Sequence, residues 1–329
     1  MLDKNKFLYV EWVITYQCNF SCNYCFFRDN LAKNAYMFKN RGPKLPKNKF
    51  QKYAFYVAKE MGIFNYADSF KNYKIEEWIK LFKTISETKD ELYLSFTGGE
   101  PLVLYKKLNK IILELSKMFK KLNIRIDTNG SVIPIFDDEI KKYISYNVSY
   151  HPSQIDVNQL LSNLKKIDDN GKVLMVNRVV FNSDIESINQ EIILFKDKGY
   201  FLNINPAHFS LKGYSEKNIE VIKSIKAPID FNNSLKKNNV GKLCSYPMFG
   251  LQLLPSGYAW IPPCDNKNVV NLIKKPHEIE KLLKKEKFAC PSECVCFHQY
   301  PFSTNNEYKD NDIMNEYVER NVRHRIGTI

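Results

Sequence analysis

Residues 7–25 read FLYVEWVITYQCNFSCNYC: an apolar run from Phe7 to Thr15, then a short loop that carries Cys18, Cys22 and Cys25 in a C-x3-C-x2-C spacing. The run has strand length and is interrupted only by Glu11, so it is too short and too polar to span a bilayer and reads as a first β-strand. The three cysteines then sit at the strand's carboxyl end, where open α/β sheets and barrels place their sites.

Working outward, short apolar runs alternate with segments of helical period up to about residue 206, which is the pattern of repeated βα units and a parallel sheet. Six strands are expected, at 7–15, 91–97, 122–128, 143–150, 172–181 and 200–206. Leu104, Tyr105, Leu108, Ile111, Ile112, Leu115, Met118 and Phe119 recur at the helical spacing after the second strand, as do Val157, Leu160, Leu161, Leu164 and Ile167 after the fourth. The fold class is α/β, a partial (βα)6 barrel. A connection of about 50 residues between Cys25 and a helix near Ile75 reads as an insertion, 26–75, because such loops ordinarily hold about 2–6 residues. Its first half carries seven basic side chains against the single acid Asp29, with interleaved aromatics; it reads equally as a lid for an anionic substrate or a solvated excursion. The βα rhythm ends near 215. Residues 216–329 are expected to form a small cysteine-rich domain, with a hairpin from Phe249 to Ile261 turning at Pro255-Ser256-Gly257 and a surface helix over Asn306–Arg325.

The composition, 44% hydrophobic and 26% charged in 329 residues, belongs to a globular chain and excludes disorder. No stretch is long and apolar enough for a membrane helix and no export signal stands out, so a soluble, cytoplasmic protein is expected. The net charge of +13 raises a nucleic-acid partner, but the lysines are dispersed without a dominant patch, which argues against one. The eight cysteines fall into two groups, and in a long chain without an export signal that favours metal or cluster ligation over disulfides.

Three thiolates on one tight loop can hold three irons of a [4Fe–4S] cluster and leave the fourth open to a small molecule. With Tyr24 just before the last cysteine, and with Thr97-Gly98-Gly99-Glu100-Pro101 closing the second strand, the chain resembles the radical S-adenosylmethionine (radical SAM) superfamily. A zinc knuckle is the alternative, and it lacks a fourth ligand nearby. The resemblance implies a radical SAM barrel whose cluster delivers an electron to S-adenosylmethionine and releases a 5′-deoxyadenosyl radical. It assigns the cluster to Cys18, Cys22 and Cys25, and cofactor contacts to Tyr24, Gly98, Gly99, Glu100, Asn129, Ser149 and one of Asn177 or Arg178. Glycines permit close backbone approach, and the carboxylate suits the ammonium of the methionine moiety. Strand alternation puts Ser149 and His151 on one face, which makes His151 a candidate for substrate binding or proton transfer.

Cys244, Cys264, Cys290, Cys294 and Cys296 resemble the twitch and SPASM auxiliary-cluster extensions, which implies a second [4Fe–4S] cluster on Cys244, Cys264 and two of the last three. A Cys3His zinc site on Cys290, Cys294, Cys296 and His298 is the alternative. The expected function is oxidation, dehydrogenation or epimerisation of a small sugar-like or nucleotide-like substrate. A ribosomally made peptide is the second substrate class, and a zinc or iron–sulfur nucleic-acid-binding protein the rival kind of protein. A one-electron reductant such as flavodoxin or ferredoxin is the implied partner.

Overall fold

The structure, a computed structural model, describes residues 6–22, 24–25, 68–206, 213–225, 237–238, 241, 243–244, 246–261, 265–286, 288–289 and 293–294. Most of the 26–75 insertion, Cys264, Cys290, Cys296, His298 and the 306–325 segment lie outside the described residues.

Six strands, β1 (Phe7–Thr15), β2 (Glu91–Gly98), β3 (Lys121–Thr128), β4 (Ile144–Tyr150), β5 (Lys172–Val180) and β6 (Leu202–Pro206), pair in parallel, each with the next. Between them run α1 (Ile75–Ser86), α2 (Tyr105–Met118), α3 (Val157–Asp168) and α4 (Ile185–Asp197). All six strands expected from the apolar runs are present, with ends shifted by no more than two residues. The helical stripe of α2 buries Leu108, Ile111, Ile112 and Leu115, as its spacing dictates. On β1 the even positions face the helices. Trp12 is fully buried, its ring 4.4 Å from that of Trp78 on α1, and the indole N–H groups of both donate to Ser69, one to its Oγ and one to its carbonyl, at 3.0 Å. Ser69 opens the turn Ser69–Asn72 at the far end of the insertion, capped by Asp68, so the returning chain is anchored directly on β1.

Residues beyond 215 extend the barrel instead of building a core of their own among the described residues. Helix α5 (Glu216–Ile225) packs Ile222 against Val180, Ile185, Ile188 and Ile204. After the two-residue strands β7 (Lys237–Asn238) and β8 (Leu243–Cys244) comes the expected hairpin, β9 (Gly250–Leu253) and β10 (Tyr258–Ile261). Its turn depends on Gly257 at φ +80°, and β11 (Asp265–Asn271) follows antiparallel to β10. Strand β9 pairs in parallel with the free edge of β1, Tyr9 opposite Gly250 and Glu11 opposite Gln252. The sheet therefore has nine strands, and Tyr246, Phe249, Leu251, Leu253 and Ile261 share the main core with Phe7 and Tyr9. The position near 215 thus marks the end of the βα rhythm but not of the core, because the edge of β1 was still open to pairing. Two short pairs, β8 with β12 (Phe288–Ala289) and β7 with β13 (Glu293–Cys294), join the segments that carry Cys244 and Cys294. No helix among the described residues is long and apolar enough to cross a membrane.

Candidate active site

The end of β2 is built against the loop that follows β1. Gly98 has φ +127°, and a Cβ on it would lie 2.1 Å from the Thr15 carbonyl oxygen; a Cβ on Gly99 would lie 2.0 Å from that of Gln17. The closeness is used, since Gly99 N–H donates to Thr15 O at 2.8 Å and Glu100 N–H to Gln17 O at 2.7 Å. Two side-chain-free residues thus lock the first turn of the cysteine loop to the sheet.

Glu100 is fully buried. Its Oε1 accepts from Leu102 N–H at 2.9 Å and from the Thr128 hydroxyl at 2.8 Å, and its Oε2 accepts from Asn129 N–H at 2.7 Å. Burial pushes the carboxyl up to about 7, opposed by those donors. Through these bonds the Glu100 carboxylate ties the end of β2 to the end of β3.

The cysteine loop is held from β3 and β4 as well. Asn129 donates from Nδ2 to Asn19 Oδ1 at 2.9 Å and to Cys18 Sγ at 3.8 Å, while its Oδ1 accepts from the Ser131 N–H and hydroxyl. Asn19 in turn donates to Ser131 Oγ, and Ser21 N–H to Gln154 Oε1 at 3.0 Å. Tyr24 and His151 meet at 2.8 Å between the phenol oxygen and Nδ1. Burial pushes the Tyr24 phenol up to about 12 and His151 down to about 4, so a neutral phenol is hydrogen-bonded to a neutral imidazole. His151 stands one residue beyond β4, so strand alternation does not govern it; it turns to the loop, with Phe20 edge-on at 6.1 Å.

Ser149 and Asn177 are register partners on neighbouring strands, and Asn177 accepts from Asn203 at 2.8 Å. Arg178 points to the other face, bound to Asp184 and Glu191 at 3.2 and 3.3 Å and lying over the Tyr150 ring. Of the expected pair, Asn177 is the one on the inner face. That face also holds polar groups the sequence reading passed over: Gln252 donates to Glu11 at 2.9 Å, and Arg125 bridges Ser95 and Asp127 at 3.1 Å each. Their signal was present, in Glu11 within an apolar strand and in Asn123, Arg125 and Asp127 alternating with buried aliphatics along β3.

Cys18, Cys22 and Cys25 are not joined in disulfides. Burial raises the Cys18 thiol, opposed by N–H donors from Phe20 and Asn129, the bonds a thiolate ligand accepts. Among the described residues no three His, Cys, Asp or Glu side chains converge as a single metal ion requires. Three thiolates that each take a different iron of one cluster surround it at wider spacing than the ligands of a single ion, and the donor set fits a [4Fe–4S] cluster with one iron left open.

A parallel βα sheet with three cysteines outside any disulfide on its first loop and a Gly-Gly-Glu strand end packed against it defines an iron–sulfur, S-adenosylmethionine-using class of barrel. The family model of the radical SAM superfamily matches residues 12–199, and the chain belongs to that superfamily. It is 23% identical over 219 residues to the radical SAM cyclopropyl synthase TigE of Paramaledivibacter caminithermalis, covering 61% of this chain and 42% of that protein. The chain thus spans less than half the length of that relative. Among solved structures, histidine-tagged anSMEcpe with bound AdoMet superposes with a TM-score of 0.51 at 14% identity, covering 98% of each chain, a likeness of fold.

Proposed function

We propose that the protein cleaves S-adenosylmethionine reductively at a cluster on Cys18, Cys22 and Cys25 and removes a hydrogen atom from an unactivated carbon of a small polar substrate. The observation that carries this reading is the three-thiol loop locked by Gly98 and Gly99 to the end of β2. When bound, the cluster and S-adenosylmethionine supply the 5′-deoxyadenosyl radical. The chain's own part is positional. Gly99 and Glu100 fix the loop's start, Asn129 its first cysteine, and Tyr24, with His151, its end.

The inner face of Glu11, Ser95, Arg125, Asp127, Asn177, Asn203 and Gln252 supports a substrate rich in hydroxyl and amino groups, sugar-like or nucleotide-like, that is oxidised or epimerised. A second reading, carbon–carbon bond formation, is favoured by the relative named a cyclopropyl synthase. A second [4Fe–4S] cluster on Cys244, Cys264 and two of Cys290, Cys294 and Cys296 belongs to the same proposal. It is supported by the pairing of β8 with β12 and of β7 with β13, which sets Cys244 in register with Phe288 and Cys294 with Lys237. A flavodoxin or ferredoxin is the proposed electron donor. The test is anaerobic reconstitution with iron and sulfide, followed by S-adenosylmethionine and dithionite. 5′-Deoxyadenosine is the expected product, and its absence from a protein that carries its full iron complement would refute the reading.

A further inference from the structure

We infer that Asn129 is a positioning residue that tunes the reduction potential of the cluster through Cys18; this rests on the ligand assignment proposed above. Asn129 is buried, with 6% of its surface exposed, and its amide is fully engaged: Nδ2 gives one hydrogen to Asn19 Oδ1 and aims the other at Cys18 Sγ, while Oδ1 is held by the Ser131 N–H at 3.0 Å and hydroxyl at 2.6 Å. Its backbone is fixed independently, by Asn129 N–H donating to Glu100 Oε2 at 2.7 Å. Its side chain thus joins the loop to one cysteine sulfur.

That sulfur also receives Phe20 N–H at 3.4 Å. Hydrogen bonds to cluster sulfurs are among the main settings of an iron–sulfur potential, because they favour the more negatively charged, reduced state. Cys18 thus has two N–H donors, one of them from a side chain locked at both ends. The arrangement makes the reduced cluster easier to reach, and an electron donor has to supply correspondingly less driving force.

The experiment is a potentiometric titration, followed by electron paramagnetic resonance, of the anaerobically reconstituted full chain without S-adenosylmethionine. Asn129→Leu keeps the branching and charge but removes the donor; the expected result is a midpoint displaced to more negative potential at wild-type iron content. Ser131→Ala removes the hydroxyl that orients the Asn129 amide and accepts from Asn19 but leaves the Asn129 donor itself in place, and should move the midpoint the same way by less. An unchanged midpoint in an iron-loaded Asn129→Leu protein overturns the inference. So does an unmoved Ser131→Ala midpoint if Asn129→Leu fails to load iron. A wild type that forms no [4Fe–4S] signal would instead refute the ligand assignment itself.

Discussion

Gly99→Ala is the sharpest probe of how the cysteine loop is seated. The new Cβ would lie 2.0 Å from the Gln17 carbonyl oxygen and 2.5 Å from its carbon, both backbone atoms that no rotamer change can move. An ordinary carbon–oxygen contact is about 3.3 Å. Relief therefore needs the end of β2 and the start of the loop to separate by about 1 Å, which the bonds Gly99 N–H to Thr15 O and Glu100 N–H to Gln17 O cannot survive. Two such bonds contribute about 1–3 kcal/mol together. At about 2–4 °C per kcal/mol, the thermal midpoint should fall by roughly 2–12 °C, leaving a folded protein at room temperature. Function should suffer more than stability, since a displacement of about 1 Å can cost on the order of 100-fold in rate. The assay is 5′-deoxyadenosine formation by the reconstituted variant, set beside its melting curve and iron content. Wild-type rate and midpoint would refute the reasoning, because they would show that the two segments are not in contact. Gly98→Ala should be worse, since φ +127° adds backbone strain of about 1–3 kcal/mol to the same kind of clash.

Replacing Cys18, Cys22 and Cys25 together by alanine should abolish 5′-deoxyadenosine formation while sparing any C-terminal iron; residual product from that variant would sink the cluster assignment. Glu100→Ala leaves Leu102 N–H, Asn129 N–H and the Thr128 hydroxyl without their buried acceptor and should cost about 3 kcal/mol or more in a denaturant titration. An unchanged midpoint with weakened S-adenosylmethionine binding would instead put that carboxylate on the cofactor. For His151, burial depresses the folded-state value to about 4, so the unfolded chain binds the extra proton first. Its contribution to stability is complete above about 6.5 and declines as pH falls toward 4. The stability gap between wild type and His151→Phe should therefore narrow over that window, and parallel curves from pH 7 to 4 would contradict the buried, neutral imidazole. Two four-iron clusters predict about eight irons per chain, of which about four should vanish in a Cys244→Ala, Cys264→Ala double variant. About four irons and one zinc, indifferent to that change, would favour a zinc site on Cys290, Cys294, Cys296 and His298.

The local signals were strong. Strand-length apolar runs, the helical stripe of α2, the Pro255-Ser256-Gly257 turn and the positions of the cysteine loop and Gly98-Gly99-Glu100 all follow from periods and turn residues confined to short windows, and each is present. Strand alternation also separated Asn177 from Arg178 once the helix face was known. It did not extend to His151, which lies beyond the strand and takes its direction from Tyr24, 127 residues earlier.

What only the tertiary structure decided is partnership. A strand's own pattern states which residues face inward, not which edge it will pair with. β9 found β1 because that edge was free and because Tyr246 and Phe249 could bury their rings beside Tyr9 and Phe7. The same holds for charge. Glu100 reads as a ligand-facing carboxylate in its pentapeptide; that the Thr128 hydroxyl and Asn129 N–H also reach it is settled only by the fold, because a buried carboxylate has to be met by hydrogen-bond donors from distant segments.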